Sequence, residues 1–242
     1  MTVKIEVIHM QPKNTNSVLL ESGGLAVIFD PWGRAEDWQR LLKERGLELH
    51  AIYCTHGHFD HITGIPGLVD EMRRGYNEGG PVPRSLGEGG WFLHPADSPV
   101  VEWSNQILQQ LGTPPVDMEK MPPRPIQPGN MEILPGVVAE VLHLPGHSAG
   151  GVAFYFSDIK FPFAGEGVDG EARRGSGVLI VGDTLFQDCY GRTDIISASE
   201  SAMRESLTAL RARNFPDDTV VIHGHGPDTT IKWLKENNPF FK

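Results

Sequence analysis

A chain of 242 residues, 39% hydrophobic and 21% charged, has the balance of an ordinary globular protein with room for a substantial core. A formal net charge of −10 weighs against a general binder of nucleic acid or of anionic membrane, since both need a basic surface. Cys54 and Cys189 form neither a CxxC pair nor a disulfide framework, Met1 to Met10 holds no apolar signal core, and no run approaches a membrane span, so a cytoplasmic protein is expected.

Taken in order, residues 3–9 alternate apolar and polar side chains and predict a first strand. Val18-Leu19-Leu20 and Leu25 to Phe29 predict a hairpin around Ser22-Gly23-Gly24, ending at Asp30-Pro31. A helix from Asp37 to Arg45, stopped by Gly46, leads to a strand over 51–54 and a helical stretch from Ile62 to Met72. Residues 73–90 hold six glycines and two prolines and read as an insertion or long loop. Trp91 to Leu93 resumes a strand, and Ser98 to Leu111 suits a helix. The six prolines of 112–130 exclude regular helix or central strand there. Further strands are predicted at 131–134, 137–142, 150–156, 178–181 and 219–222, with a third insertion at 160–177. Ser197 with Glu200 reads as a capping box, Met203, Leu207 and Leu210 share a helix face, and Thr229 to Asn237 closes the chain. No repeat and no linker divides it, so one domain over 1–242 is expected.

The strand over 51–54 delivers Thr55-His56-Gly57-His58-Phe59-Asp60-His61. His56 and His58, two apart on extended backbone, project to one side, and Asp60 and His61 reach a second point as the chain turns into helix. Neutral imidazoles with a carboxylate suit zinc, iron or manganese. A merely histidine-rich loop would leave many ring donors and acceptors to satisfy. His147, Asp183 and His225 each follow an apolar strand, and together the seven residues are too many for one tetrahedral ion and suit two sharing a carboxylate.

Thr55 to Gly64 (THGHFDHITG), Leu144 to Gly150 (LPGHSAG), Gly182 to Asp194 (GDTLFQDCYGRTD) and His225 to Thr230 (HGPDTT), with Asn238-Pro239-Phe240, resemble the metallo-β-lactamase superfamily and its glyoxalase II (hydroxyacylglutathione hydrolase) branch. The resemblance implies an α/β (α+β) four-layer αββα sandwich with the site at one edge of two sheets. It implies that His56, His58 and His147 hold one divalent ion, that Asp60, His61 and His225 hold another, and that Asp183 bridges them. Zinc is the first choice, with iron or manganese as alternatives. The implied reaction is hydrolysis of a small thioester of the S-acylglutathione type by a hydroxide held between the ions, with Asp60 also orienting it. The implied partner is a small molecule, not nucleic acid or membrane.

The sequence departs from that branch in two places. A helical C-terminal domain is commonly present there, whereas here the chain ends soon after the His225 motif, like the shorter single-domain type. The proline usual before the last GHG is His223, read as a strand-end residue more than a ligand. Arg73, Arg74, Arg84, Arg173 and Arg174 in the insertions could meet an anionic substrate. Asp30 is expected to hydrogen-bond a ligand histidine, Arg192 and Asp194 to pair, and Cys189 to be a buried inert thiol. His143 is expected to be structural. The main alternative of the same fold is a persulfide dioxygenase with a single iron on His56, His147 and Asp183.

Overall fold

The computed structural model describes residues 3–10, 15–77, 90–157, 159, 161–163 and 173–242. Six strands form the first sheet in sequence order: β1 Lys4–Ile8, β2 Ser17–Ser22, β3 Leu25–Phe29, β4 Glu48–Tyr53, β5 Trp91–Leu93 and β6 Arg124–Pro125. β1 to β3 are antiparallel, and β3 to β6 run parallel. The second half of the chain begins with β7 Gly129–Leu134, β8 Val137–His143 and β9 Val152–Phe156. A two-stranded ribbon of β10 Phe161–Phe163 and β11 Arg173–Gly175 follows, then β12 Val178–Gly182, β13 Val220–His223 and β14 Thr229–Thr230. The second sheet runs β14-β13-β12-β9-β8-β7, with only β12 and β13 parallel.

The central strands are apolar at nearly every position because they bury both faces. Val27 and Phe29 of β3 and Ala51 and Tyr53 of β4 pack between the sheets against Phe154, Val178, Ile180 and Ile222. Their alternate neighbours Ala26, Ile28 and Ile52 turn outward onto Trp38, Leu68, Val101 and Leu108. Those residues belong to helices α1 Ala35–Arg45, α3 Ile65–Asn77 and α4 Ser98–Gln110, with the single turn α2 Phe59–Ile62 ahead of α3. On the other side Leu179, Val181 and Val221 meet Met203, Leu207, Leu210, Ile231 and Leu234 of α5 Glu200–Ala212 and α6 Ile231–Asn237. The layers are therefore helix, sheet, sheet, helix, as expected. Gly46 ends α1 at φ 64°, where a side chain would be strained.

Several local expectations change. The helix after the cluster runs on to Asn77, so Arg73 lies on α3, where its Nη2 donates to the Lys120 carbonyl at 2.7 Å. Residues 78–89 and 164–172, parts of the first and third insertions, lie outside the described residues, as do Arg84 and the side chains of Arg74, Arg173 and Arg174. The third insertion opens and closes as the β10–β11 ribbon instead of loop. Ser199, not Ser197, caps α5, its hydroxyl accepting from Ala202 N. Ser197 instead takes a positive φ of 59° and accepts from Ala149 N. Among the described residues no helix is long and apolar enough to cross a membrane.

Candidate metal centre

Each residue of the centre sits just beyond a strand, at one edge of the two sheets. β4 ends at Tyr53, the chain bends at Thr55 and His56, and His58, with extended backbone, takes the N-cap position of α2. Asp60 and His61 are then carried round by that turn. Asp183 follows Gly182 at the end of β12, and His225 lies two residues past β13. Six of the seven are buried, and His225, with its side chain 31% exposed, faces the open side.

Three overlapping groups result: His56, His58 and His147; His56, His61 and Asp183; and Asp60, His61 and His225, with the donor atoms of each group within 4.8 Å of one another. Nε2 of His225 lies 3.3 Å from Asp60 Oδ2 and 3.3 Å from Asp183 Oδ2, while His61 Nε2 lies 3.4 Å from Asp183 Oδ1 and His147 Nε2 lies 3.5 Å from Asp183 Oδ2. Two ligands at zinc bond lengths in a tetrahedral arrangement sit about 3.4 Å apart, so these separations suit atoms that share an ion. The Nε2 atoms of His56, His58, His61 and His147 and Oδ1 of Asp183 are buried without a hydrogen-bond partner. Leaving five polar atoms orphaned in one small volume is costly unless a cation satisfies them. The donor set fits divalent ions.

The ring orientations come from the opposite nitrogens. His147 Nδ1–H donates to the Arg192 carbonyl at 3.0 Å, which leaves Nε2 as a lone pair pointing inward. Thr55 Oγ1 donates to Asp30 Oδ2 at 2.7 Å and lies 3.0 Å from His56 Nδ1, so it accepts that proton. The expected hydrogen bond from Asp30 to a ligand ring is not formed: His61 Nδ1 lies 3.0 Å from its Oδ2 but has no hydrogen-bond partner, and Asp30 instead holds Thr55, its Oδ1 accepting from Thr55 N at 2.7 Å. His223 is no ligand. Its Nδ1 donates to the Leu185 carbonyl at 2.6 Å and its Nε2 accepts from Thr229 Oγ1 at 2.8 Å. His143 is exposed and stacks on His94, and Arg192 pairs with Asp194 at 2.9 Å on the surface. Cys189 is exposed, contrary to expectation, because it sits in the loop after β12 and not under it.

Sequence reasoning missed four supporting residues. Thr15 Oγ1 donates to Asp60 Oδ2 at 3.1 Å, and Asn16 Nδ2 donates to the carbonyls of His223 and Gly226, holding the turn that carries His225. Asp97, fully buried, accepts from Gly57 N, Ser148 Oγ and Gly150 N. It stands before Ser-Pro at the start of α4, where the sequence signals only a helix cap. Gly224 allows a close approach to the Asp183 side chain: a Cβ there would lie 1.9 Å from Asp183 Oδ1.

Burial, the neighbouring rings of His61 and His58, and the low-dielectric setting drive His56 well below the ordinary histidine range; burial and His147 bring His58 down to about 3. Burial also lowers His147, against the pull of Asp183. The opposite happens beside the carboxylates. Burial opposes the charge on His61, yet Asp30 and Asp183 raise it well above its usual range, and bonds to Asp183 and Asp60 lift His225 to about 10 despite burial. Burial would raise Asp183, but His61 and His225 hold it well below the carboxylate range. Without metal, protons on two rings thus balance the carboxylates, where a cation would otherwise do so.

The sequence profile of the metallo-beta-lactamase superfamily matches residues 10–166. The probable metallo-hydrolase YqgX of Bacillus subtilis (strain 168) is 31% identical over 95% of this chain and 93% of its own length. Hydroxyacylglutathione hydrolase GloC of Haemophilus influenzae is 29% identical over 98% of both chains. Among solved structures, TTHA1623 in a di-iron-bound form is 32% identical, superposes with a TM-score of 0.71, and shares 97% of this chain and 99% of its own.

Proposed function

We infer that this chain, which belongs to the metallo-β-lactamase superfamily and is a metal-dependent hydrolase, cleaves small thioesters of the S-acylglutathione type with two divalent ions. The observation that carries the reading is the shared geometry: two three-residue groups at ligand spacing with Asp183 between them, and five buried donor atoms that nothing in the protein satisfies. His56, His58 and His147 would hold one ion, Asp60, His61 and His225 the other, and Asp183 would touch both. When bound, such ions supply Lewis acidity and make a water acidic enough to yield hydroxide near neutral pH.

The chain's own residues do the rest. Asp60, held by the Thr15 hydroxyl, accepts a hydrogen bond from the attacking water and keeps it aimed. Thr55 and the Arg192 carbonyl hold the ring planes of His56 and His147, so these two rings need no reorganisation during reaction. The Trp103 ring lies 5.9 Å from that of His58, and the Phe186 ring 6.0 Å from that of His225. They flank the cluster with apolar surface that displaces water from an entering acyl or thiol group. A thiolate needs no dedicated acid to depart. Support for the thioester comes from GloC, which matches over nearly the whole length. Zinc is the ion we assign, and TTHA1623 in its di-iron form makes iron the alternative to test.

The test pairs metal content of the purified protein with S-lactoylglutathione hydrolysis. Two equivalents per chain, with turnover abolished by His147→Ala, are expected. One equivalent of iron, oxygen uptake with glutathione persulfide and no thioester turnover would establish the dioxygenase instead. Two metals with turnover of a β-lactam but no thioester would overturn the substrate and keep the centre.

A further inference from the structure

Two loops carry the first group of ligands, and one side chain from elsewhere in the fold holds both. Gly57 lies between His56 and His58, and its N–H donates to Asp97 Oδ2 at 2.8 Å. Ser148 and Gly150 follow His147; Ser148 Oγ donates to the same Oδ2 at 2.8 Å and Gly150 N to Oδ1 at 2.5 Å. Asp97 is 0% exposed and occupies the N-cap position of α4, yet makes no cap hydrogen bond to that helix. Its carboxylate forgoes the role usual at that position and turns to the two loops. The contact is close enough to dictate sequence: a Cβ on Gly150 would lie 2.8 Å from the carboxyl carbon and from the backbone nitrogen of Asp97. Two turns further along α4, Ser104 Oγ donates to the Gly57 carbonyl at 2.9 Å. None of these bonds of Asp97 reaches Asp60, His61 or His225: Thr15 donates to Asp60, Asn16 holds the turn that carries His225, and Asp30 Oδ2 lies 3.0 Å from His61 Nδ1.

We propose that Asp97 is the positioning residue for His56, His58 and His147 and sets the affinity of the ion they hold separately from that of the second ion. The inference rests on the two-ion reading above. A carboxylate suits the task because all three groups facing it are donors. In Asp97→Asn one oxygen becomes an NH2 group, and either placement sets that group against a backbone N–H, of Gly150 or of Gly57. One loop must then swing away from the other, and the spacing of His58 from His147 opens.

The experiment is zinc release from the loaded protein by chelator competition, resolved into two steps, together with metal content and thermal unfolding of the metal-free forms. His58→Ala identifies the step that belongs to the first ion. Asp97→Asn is expected to weaken that step by roughly 10- to 100-fold, the range for groups that orient metal-bound histidines, and to leave the other step within threefold. Asn16→Ala is expected to do the reverse. Ser148→Ala, which removes one of the three bonds, is expected to weaken the first step by less, and it decides the matter if Asp97→Asn does not fold. If the wild type releases two ions and the Asp97 and Ser148 variants shift neither step, or both steps alike with a matching loss of thermal stability, Asp97 is merely structural and the inference falls while the two-ion reading stands. If the wild type binds fewer than two ions, both fall.

Discussion

Gly224→Ala adds a single methyl group directly against the Asp183 carboxylate. The new carbon would lie 1.9 Å from Asp183 Oδ1, 2.9 Å from His61 Cε1 and 3.1 Å from the Gly182 carbonyl carbon. Ordinary contact begins at 3.4 Å, and a close-packed interior has no spare volume, so the carboxylate must withdraw by about 1.5 Å. The Gly224 backbone cannot retreat instead, because its N–H is bonded to the Gly182 carbonyl at 2.8 Å and its carbonyl to Asn16 N at 2.7 Å. Metal–ligand distances tolerate about 0.2 Å, so the displacement is many times what Asp183 can absorb while reaching two ions. A misplacement of about 1 Å costs on the order of 100-fold in rate, or about 3 kcal/mol of barrier. The variant is expected to lose at least 100-fold in kcat/KM for S-lactoylglutathione and to bind less than two equivalents of metal. A short acidic side chain can turn aside without unfolding the sheet, so the metal-free protein is expected to melt within a few degrees of wild type. Two bound ions with kcat/KM within threefold of wild type would refute the reasoning.

Other predictions concern protons and the mouth of the site. In the metal-free protein His225 is raised to about 10, so its contribution to stability is full below the unfolded value of about 6.5. That contribution is lost as pH climbs through 10, and the metal-free melting temperature is expected to fall across this window while the loaded protein's holds. For the same reason zinc binding at pH 7 is expected to release protons, read as a buffer-dependent heat in titration calorimetry; a heat independent of buffer ionisation would contradict it. Burial raises Asp228 to about 7, so its ionised form strains the fold at pH 8 but not at pH 4. Asp228→Asn is expected to stabilise the metal-free protein by about 1–2 kcal/mol at pH 8, and to change nothing at pH 4; equal melting curves at both pH values would dismiss the burial argument. Trp103→Ala is expected to raise KM for the thioester about tenfold with metal content unchanged, as loss of one apolar wall would; loss of metal instead would place Trp103 in the support of His58.

The seven residues that converge at one sheet edge were legible in the sequence because each announces itself locally. His56 and His58 stand two apart around a glycine just past a predicted strand, and His147, Asp183 and His225 each follow a run apolar enough to be a buried strand. The layers were legible for a related reason: strands apolar at consecutive positions need cover on both faces, which two sheets flanked by helices provide. The Ser197 reading failed within this local range, since Ser199 offers the same hydroxyl two residues later and the approach of Ala149 decides between them. Everything that holds the donors at their distances depended on tertiary structure. Asp97 meets Gly57 and Gly150 across 40 and 53 residues, and Asn16 meets the carbonyl of Gly226 across 210. Such contacts leave no periodicity in the chain. They exist only because packing two sheets face to face brings four strand ends to one edge, where buried donors and acceptors must find one another or a cation.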